Sequence, residues 1–388
     1  MRNKALLKIT LLLSAMMTMM AGAVISPSLE QISSVFNDVK NIEYLSRLVI
    51  TLPALFIAFF SPLYGKLIDK TGRKKWLVFA LILYAFSGFS GFVLDNIYLI
   101  LIGRAFLGIA VAGIMTIATT LVGDYFKGTE RSSFLGFQGA FIGLGGVVFI
   151  TVAGWLADIT WQMPFLIYLF SVPVLIMVIL FLYEPNINRE ISSVQNKPDS
   201  NYDIDIKLLA IIFSTVFLAI VCFYMVPVQL PFMLKEIDGV SYSMVGYAIS
   251  VSTLFSALVS INYKPIKERL EFPEIYMCSF LLMGAGYFFI SRSTEYYHFL
   301  ISIAFSGMGV GLLMPTGALW IITLAPPQLR GRLISGVSTS MFLGMFFSPI
   351  IIQPIVNIIQ FEGAFATASV MLIFMAVLFF IFRKSLSN

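Results

Sequence analysis

The sequence predicts an all-α membrane protein: twelve transmembrane helices in two six-helix, pseudo-symmetric bundles, with both termini in the cytoplasm. Three observations carry this. The 388 residues are 59% hydrophobic and only 12% charged, about half the charge of an ordinary soluble domain. The apolar residues gather into twelve continuous runs, each near the ~20 residues with which a helix crosses the hydrocarbon core; runs without alternation argue against a spanning β-barrel. Finally, twenty of the 25 Lys and Arg fall in segments that an inside N-terminus places in the cytoplasm, with four outside and one within a span, as the positive-inside rule requires.

In order, the runs are residues 5–27, 45–64, 76–94, 97–121, 134–156, 162–183, 208–231, 243–262, 273–292, 296–322, 333–357 and 362–382. Arg2, Lys4 and Lys8 precede the first, and Ala21-Gly22-Ala23 resembles a signal-peptidase site. Because many equally apolar runs follow, the first is read as the span that orients them. Asp95-Asn96, the stretch from Asp158 to Gln162, and Glu295 mark short hairpins. Residues 184–207 are polar, contain Pro185 and Pro198, and read as a cytoplasmic linker between bundles at 1–183 and 208–388. The halves repeat weakly: Arg131 and Arg330, which open the fifth and eleventh spans, lie 199 positions apart, as do Gly145 and Gly344. Transporters use such duplication to build a midplane site between repeats.

Composition also excludes. The net charge of +5 comes from basic residues scattered through short loops, which is topology rather than a nucleic-acid patch. Cys222 and Cys278 lie inside apolar runs and read as buried hydrophobes. The single histidine, His298, rules out a His-based metal cluster. No nucleotide loop or nucleophile–base set is present, so neither an enzyme nor a cofactor is expected.

The stretch from Gly65 to Lys75 is glycine-punctuated and strongly cationic. Asp69 and Arg73 stand at i,i+4 and can pair if the backbone there is helical, and Gly65 and Gly72 permit close backbone approach. The plainer alternative is that this charge only sets topology. Gly65, Leu67, Asp69, Gly72, Arg73 and Lys74 match the pattern G-x-L-a-D-r-x-G-r-k, with Lys70 for its usual Arg, and Arg104, Gly108 and Ala112 fit l-x-x-x-R-x-x-q-G-x-x-a-a, with Leu107 where Gln is frequent. On these motifs and the twelve-span pattern the chain resembles the major facilitator superfamily, in particular its twelve-helix drug and metabolite efflux branch. It departs from the antiporter signature of the fifth span: Phe149 and Ile150 replace Gly-Pro, and only Gly154 remains of the final Gly pair, while Ser348-Pro349 stands at the equivalent offset of the second half.

The resemblance implies that the loop at 65–75 contacts the other half and helps hold the cytoplasmic side closed. Asp69 would lie near the start of the eleventh helix, where unpaired amides stabilise a carboxylate, with Asp124 and Arg131 as partners for Arg73 and for a carboxylate. Arg104 is the only ionisable side chain read well within a span. A charge there costs several kcal/mol without a cavity or partner, so it is expected to face the cavity and, by the resemblance, to take part in coupling; snorkelling to the outer headgroups is the alternative. No carboxylate stands mid-span. Glu30, at the outer end of the first helix, is the nearest coupling acid, and Asp158 reads as outer loop. Thr18, Thr116, Gln138, Tyr224, Gln229 and Met308 are the candidate cavity residues, although small residues at i+4, such as Ser14, Thr18 and Gly22, equally mark helix packing. The 19 Met and 37 Phe suit an adaptable pocket and ordinary membrane packing alike. Gly307, Gly309, Gly311 and Pro315, with Pro227 and Pro231, mark bends, either flexing or static.

The expected function is a secondary active transporter of the inner or plasma membrane, exporting small hydrophobic or amphipathic molecules by alternating access. A proton gradient, rather than a cofactor, is the expected energy source. The partners are a small-molecule substrate and the bilayer, and the chain is expected to be a monomer. A dedicated sugar, siderophore or amino acid transporter, coupled or not, is the alternative; a membrane sensor without transport is a remote one.

Overall fold

The computed structural model of the chain describes residues 4–185, 206–326 and 329–387. The described residues of the expected spans are predominantly helical, as they must be where no water satisfies the backbone. The spans are α1 (Lys4–Val35), α2 (Ile42–Thr71), α3 (Lys74–Val93), α4 (Ile97–Tyr125), α5 (Gly128–Ala157), α6 (Met163–Phe181), α7 (Ile206–Lys235), α8 (Tyr242–Ile261), α9 (Phe272–Ile290) and α10 (Tyr296–Leu324). The last helical stretch, Arg330–Ser387, is divided at Gln360 (φ 63°, ψ −178°) into α11 (330–359) and α12 (361–387). Gln360 adopts a left-handed φ that favours glycine. Of the linker expected at 184–207, only Glu184, Pro185, Ile206 and Lys207 lie among the described residues.

Several helices outrun the apolar runs that announce them. A 30-residue helix such as α2 is about 45 Å long at 1.5 Å per residue, which reaches through both headgroup layers. Hydropathy stops at the first charged residue, whereas helix formation does not. Helix starts carry recognisable caps. Asn96 accepts from the amides of Tyr98 (2.9 Å) and Leu99 (3.3 Å) ahead of α4, Ser241 accepts from Met244 N ahead of α8, and Glu271 and Glu274 form a capping box on α9.

The first helix of each half is broken at matching depth. α1 passes through a 3₁₀ turn at Ser26–Ser28, and α7 interrupts its helix at Tyr224 between Phe223 and Met225. Pro27 and Pro227 supply the cause, since each lacks the N–H that would close the preceding turn. The two breaks meet, and Ser26 Oγ donates to the Pro227 carbonyl.

Two seams join the halves. α5 packs on α8 and α2 packs on α11, pairs that exchange under the repeat relating the first six spans to the last six. With twelve spans both termini share one face. It is called the basic face below, because the Lys/Arg count concentrates there; the other is the outer face.

The charged stretch expected as a loop is mostly helix. α2 runs on to Thr71, the turn is only Gly72-Arg73, and α3 starts at Lys74. Gly72 has φ 94°, and a Cβ there would lie 3.0 Å from Glu184 Oε1. Gly72→Ala is therefore expected to lower stability by about 1–3 kcal/mol, read as a fall in the unfolding temperature of the purified protein; an unchanged temperature would refute the strain.

Candidate functional site: a central cavity between two seams

On the basic face the turn is tied within its own half. Glu184, three residues beyond the end of α6, accepts from the backbone amides of Arg73 (2.6 Å) and Lys74 (2.8 Å) and so caps α3. Arg73 is buried, and its Nε lies 2.8 Å from Asp124 Oδ2, an ion pair without hydrogen-bond alignment. The i,i+4 pairing of Arg73 with Asp69 is thus corrected: Arg73 takes Asp124, and Asp69 is exposed on the last turn of α2. Arg131 is exposed on α5, near enough to α4 that a Cβ on Gly123 would lie 3.3 Å from its Nη2. A Cβ on Gly65 would meet nothing within 4 Å, so the seam beside it is open.

The outer face is shut. Arg47 is 2% exposed; its Nε donates to Gln229 Oε1 at 2.7 Å, its Nη1 donates to the Glu43 carbonyl at 2.6 Å, and its guanidinium lies 3.9 Å from the Phe232 ring centroid. Gln229 Nε2 donates to Gln353 Oε1 (3.2 Å), and Asn357 Nδ2 (3.1 Å) and Gln353 Nε2 (3.4 Å) donate to Glu43 Oε2. At the other seam Tyr242 O–H donates to Glu30 Oε2 at 2.8 Å, and Tyr242 N–H to Asp158 Oδ1 at 2.8 Å. Asp158, read from sequence as outer loop, therefore caps α8 from the opposite half. Beneath these contacts α5 and α8 touch backbone to backbone: a Cβ on Gly154 would lie 3.0 Å from Ser243 Cα and 3.1 Å from Gly246 Cα.

Between the closed outer face and the basic face lies a cavity of about 340 Å³. Met19, Met115, Met314, Met341 and Met345 line it with Phe223, Phe342 and Tyr224, and Thr18, Thr253 and Ser256 bring hydroxyls. Among the described residues, no lining side chain is an acid, a base or an amide. Two clefts run from it toward the basic face, one of about 690 Å³ between α5 and α8 and one of about 280 Å³ between α2 and α11.

Of the candidate cavity residues, Thr18 and Tyr224 line the central space and Thr116 lines the α2/α11 cleft. Three expectations are corrected. Gln138 is buried with its Oε1 unpartnered among the described residues and lines none of these spaces. Gln229 belongs to the outer closure, and Met308 is half-buried on α10 away from the lining that Met314 reaches.

Arg104 is corrected too. It is fully buried inside the first bundle rather than facing the cavity. Its Nη2 donates to Gly88 O at 2.9 Å, and its guanidinium carbon lies 4.8 Å from the ring centroids of both Phe165 and Tyr168. Carbonyl and ring quadrupole stabilise the charge in place of a carboxylate.

Sequence reading missed Arg47, counted among the outside residues although it stands third in the run 45–64; the spacing of Glu43 and Arg47 is the helical signal that could have recovered it. It also missed Glu184 and the five cavity methionines.

Two six-helix bundles enclose a central cavity that is shut on one face and cleft on the other. Residues 11–211 and 211–387 match the Major Facilitator Superfamily; the chain belongs to that family and is a multi-pass protein of the cell membrane. It is 26% identical over 299 residues to the multidrug transporter protein MdtP of Bacillus subtilis (strain 168), a match covering 76% of this chain and 47% of that protein. The chain thus spans about half the length of that relative. It is 24% identical over 319 residues to the class D tetracycline resistance protein of Salmonella ordonez, covering 78% and 79% of the two. Among solved structures it is similar to a D-xylose–proton symporter, with a TM-score of 0.80 at 15% identity over 96% of each chain, a likeness of fold.

Proposed function

We propose that the chain exports small uncharged apolar or amphipathic molecules from the cytoplasm, exposing the central cavity alternately to the two faces and drawing on the proton gradient. The observation that carries this reading is the cavity lining of thioethers, aromatic rings and hydroxyls without a charged side chain. A permanently charged cargo would lose its hydration there and find no counter-charge. An apolar one gains about 25 cal/mol per Å² buried, and methionines re-pack around guests of different shape. The names of the two bacterial relatives, for multidrug transport and for tetracycline resistance, favour export. With no carboxylate in the cavity, the reading assigns the proton's site to the outer seam. There Glu30, bonded to Tyr242 across the halves, meets outside water whenever that face opens.

The test uses the protein in proteoliposomes with an imposed pH gradient. An uncharged lipophilic dye is expected to accumulate against its own gradient, and a quaternary phosphonium cation is not. Dye equilibration indifferent to the pH gradient would sink the proton coupling. Accumulation of the cation in its place would sink the uncharged cargo.

A further inference from the structure

We propose that the Tyr224 hydroxyl is the specificity-determining group of the central cavity, a hydrogen-bond donor that selects cargo bearing a carbonyl or ether oxygen over hydrocarbon of the same shape. The proposal rests on reading that cavity as an apolar transport site. Tyr224 stands where α7 is interrupted between Phe223 and Met225. Its ring packs edge-on against Phe223, with centroids 6.1 Å apart at 74°, and both rings line the cavity. The residue is only 7% exposed, yet among the described residues its hydroxyl has no hydrogen-bond partner. The Tyr276 hydroxyl is likewise unpaired but sealed inside the second bundle, whereas Tyr224 borders a space that a molecule can fill. Buried hydroxyls are nearly always paired, so one left unpaired at a binding space calls for a partner that arrives with the cargo.

Gly22 makes room for that oxygen. A Cβ there would lie 2.9 Å from the Tyr224 hydroxyl and meet nothing else within 4 Å. Gly22 belongs to the first half and Tyr224 to the second. One turn further along α1, Ser26 donates to the Pro227 carbonyl where the two helix breaks meet. The hydroxyl therefore marks the outer end of the cavity, blind while that face is shut, and cargo arriving from the basic face meets it last.

The other lining hydroxyls do not compete for this role. Thr18 Oγ1 donates to Ala15 O at 2.7 Å and Thr253 Oγ1 to Ile249 O at 3.2 Å, each within its own helix. Their lone pairs stay available, but their protons are spent. Ser256 also lines the α5/α8 cleft, on the side of the basic face. The thioethers around them accept hydrogen bonds only weakly and donate none. At the blind end the phenol is thus the donor, and its partner must be an acceptor on the cargo. A site built around a buried donor discriminates against a molecule that lacks the matching acceptor, because the donor then stays unpaired. The cargo this lining fits has an apolar body and an acceptor oxygen at its leading end.

The experiment measures equilibrium binding of two tritiated probes, fluorenone and fluorene, to the purified full chain by scintillation proximity. The two tricyclic molecules have nearly the same shape and differ by a carbonyl in place of a methylene. Each probe is compared with itself across variants, which removes its partition into detergent. Tyr224→Phe keeps the ring and removes the hydroxyl; it is expected to weaken fluorenone binding about tenfold, as loss of one hydrogen bond does, and fluorene binding by less than about twofold. Gly22→Ala, which crowds the hydroxyl, should also weaken fluorenone more than fluorene, and Ser256→Ala should weaken neither selectively. Equal weakening of both probes by Tyr224→Phe would mean that the residue only shapes the cavity, and would overturn the proposal. So would undiminished fluorenone binding in that variant, or a selective loss of fluorenone in Ser256→Ala instead. Binding of neither probe to the unsubstituted chain would sink the apolar site and the proposal with it. Fluorene bound, with fluorenone indifferent to Tyr224→Phe, would sink the proposal alone.

Discussion

Replacing Gly154 with leucine is expected to abolish transport while leaving the protein in the membrane. In the shut outer face α5 and α8 are in backbone contact, with Ser243 Cα, the Tyr242 carbonyl oxygen and Gly246 Cα all within 3.0–3.1 Å of where the first side-chain carbon would stand. None of these atoms can move aside as a side-chain tip could, so the helices must separate. Overpacking of this kind costs about 1–3 kcal/mol, and each 1.4 kcal/mol is tenfold in the balance between outer-closed and outer-open forms. The strain falls only on the closed form, so the variant should be held open on the outside. Amide hydrogen exchange should quicken at residues 151–157 and 242–247, and proteoliposome transport should fall below detection. Native exchange together with native transport would remove Gly154 from the closing mechanism.

Arg47→Met is expected to produce the second large effect, by a different route. The substitution removes donors to Gln229 Oε1 and to the Glu43 carbonyl, and the stacking on Phe232. Hydrogen bonds from a charged group contribute about 1.5–3 kcal/mol each. Against that, a buried guanidinium gives up its hydration, and an apolar substitute recovers part of the loss. The balance differs between conformations: Gln229 is in the other half, so its bond exists only while the outer face is closed. The outer-open population should therefore rise about tenfold, a shift of about 1.4 kcal/mol. Adding Gln229→Leu should restore part of the closure, because the orphaned carbonyl oxygen disappears with it. Additive effects of the two substitutions on exchange at the outer ends of α2 and α7 would show that Arg47 and Gln229 are not coupled.

The twelve spans were legible because continuous hydropathy and helix length report the same physical requirement, an internally satisfied backbone. The breaks at Pro27 and Pro227 were legible in part, since proline's missing donor is a local property. Side-chain direction was not. Arg104 was expected in the cavity because a mid-span charge needs a partner, but it lies inside its own bundle against the Gly88 carbonyl and two aromatic faces. Arg47 was hidden by the opposite error: standing third in the run 45–64, it was counted with the outside loop, though it is buried between the halves. The cavity methionines were invisible for lack of contrast, five among 19 in a chain with 37 Phe. Glu184 looked like the start of a polar linker, and only the return of α6 beside the Gly72 turn reveals what it caps.

The single-residue joint at Gln360 has a mechanical consequence. α11 forms a seam with α2, whereas α12 packs on the far side of its own bundle through contacts such as Phe379 with Tyr276. Between them there is one non-helical residue, hence about 3.8 Å of chain per Cα step and no slack. With so short a connection, α11 cannot slide lengthwise past α12 at that end by more than the single joint allows. Under the proposed alternation between the two faces, the corner ties the α11 seam to the rear of the second bundle, so the two helices are expected to turn together at that edge.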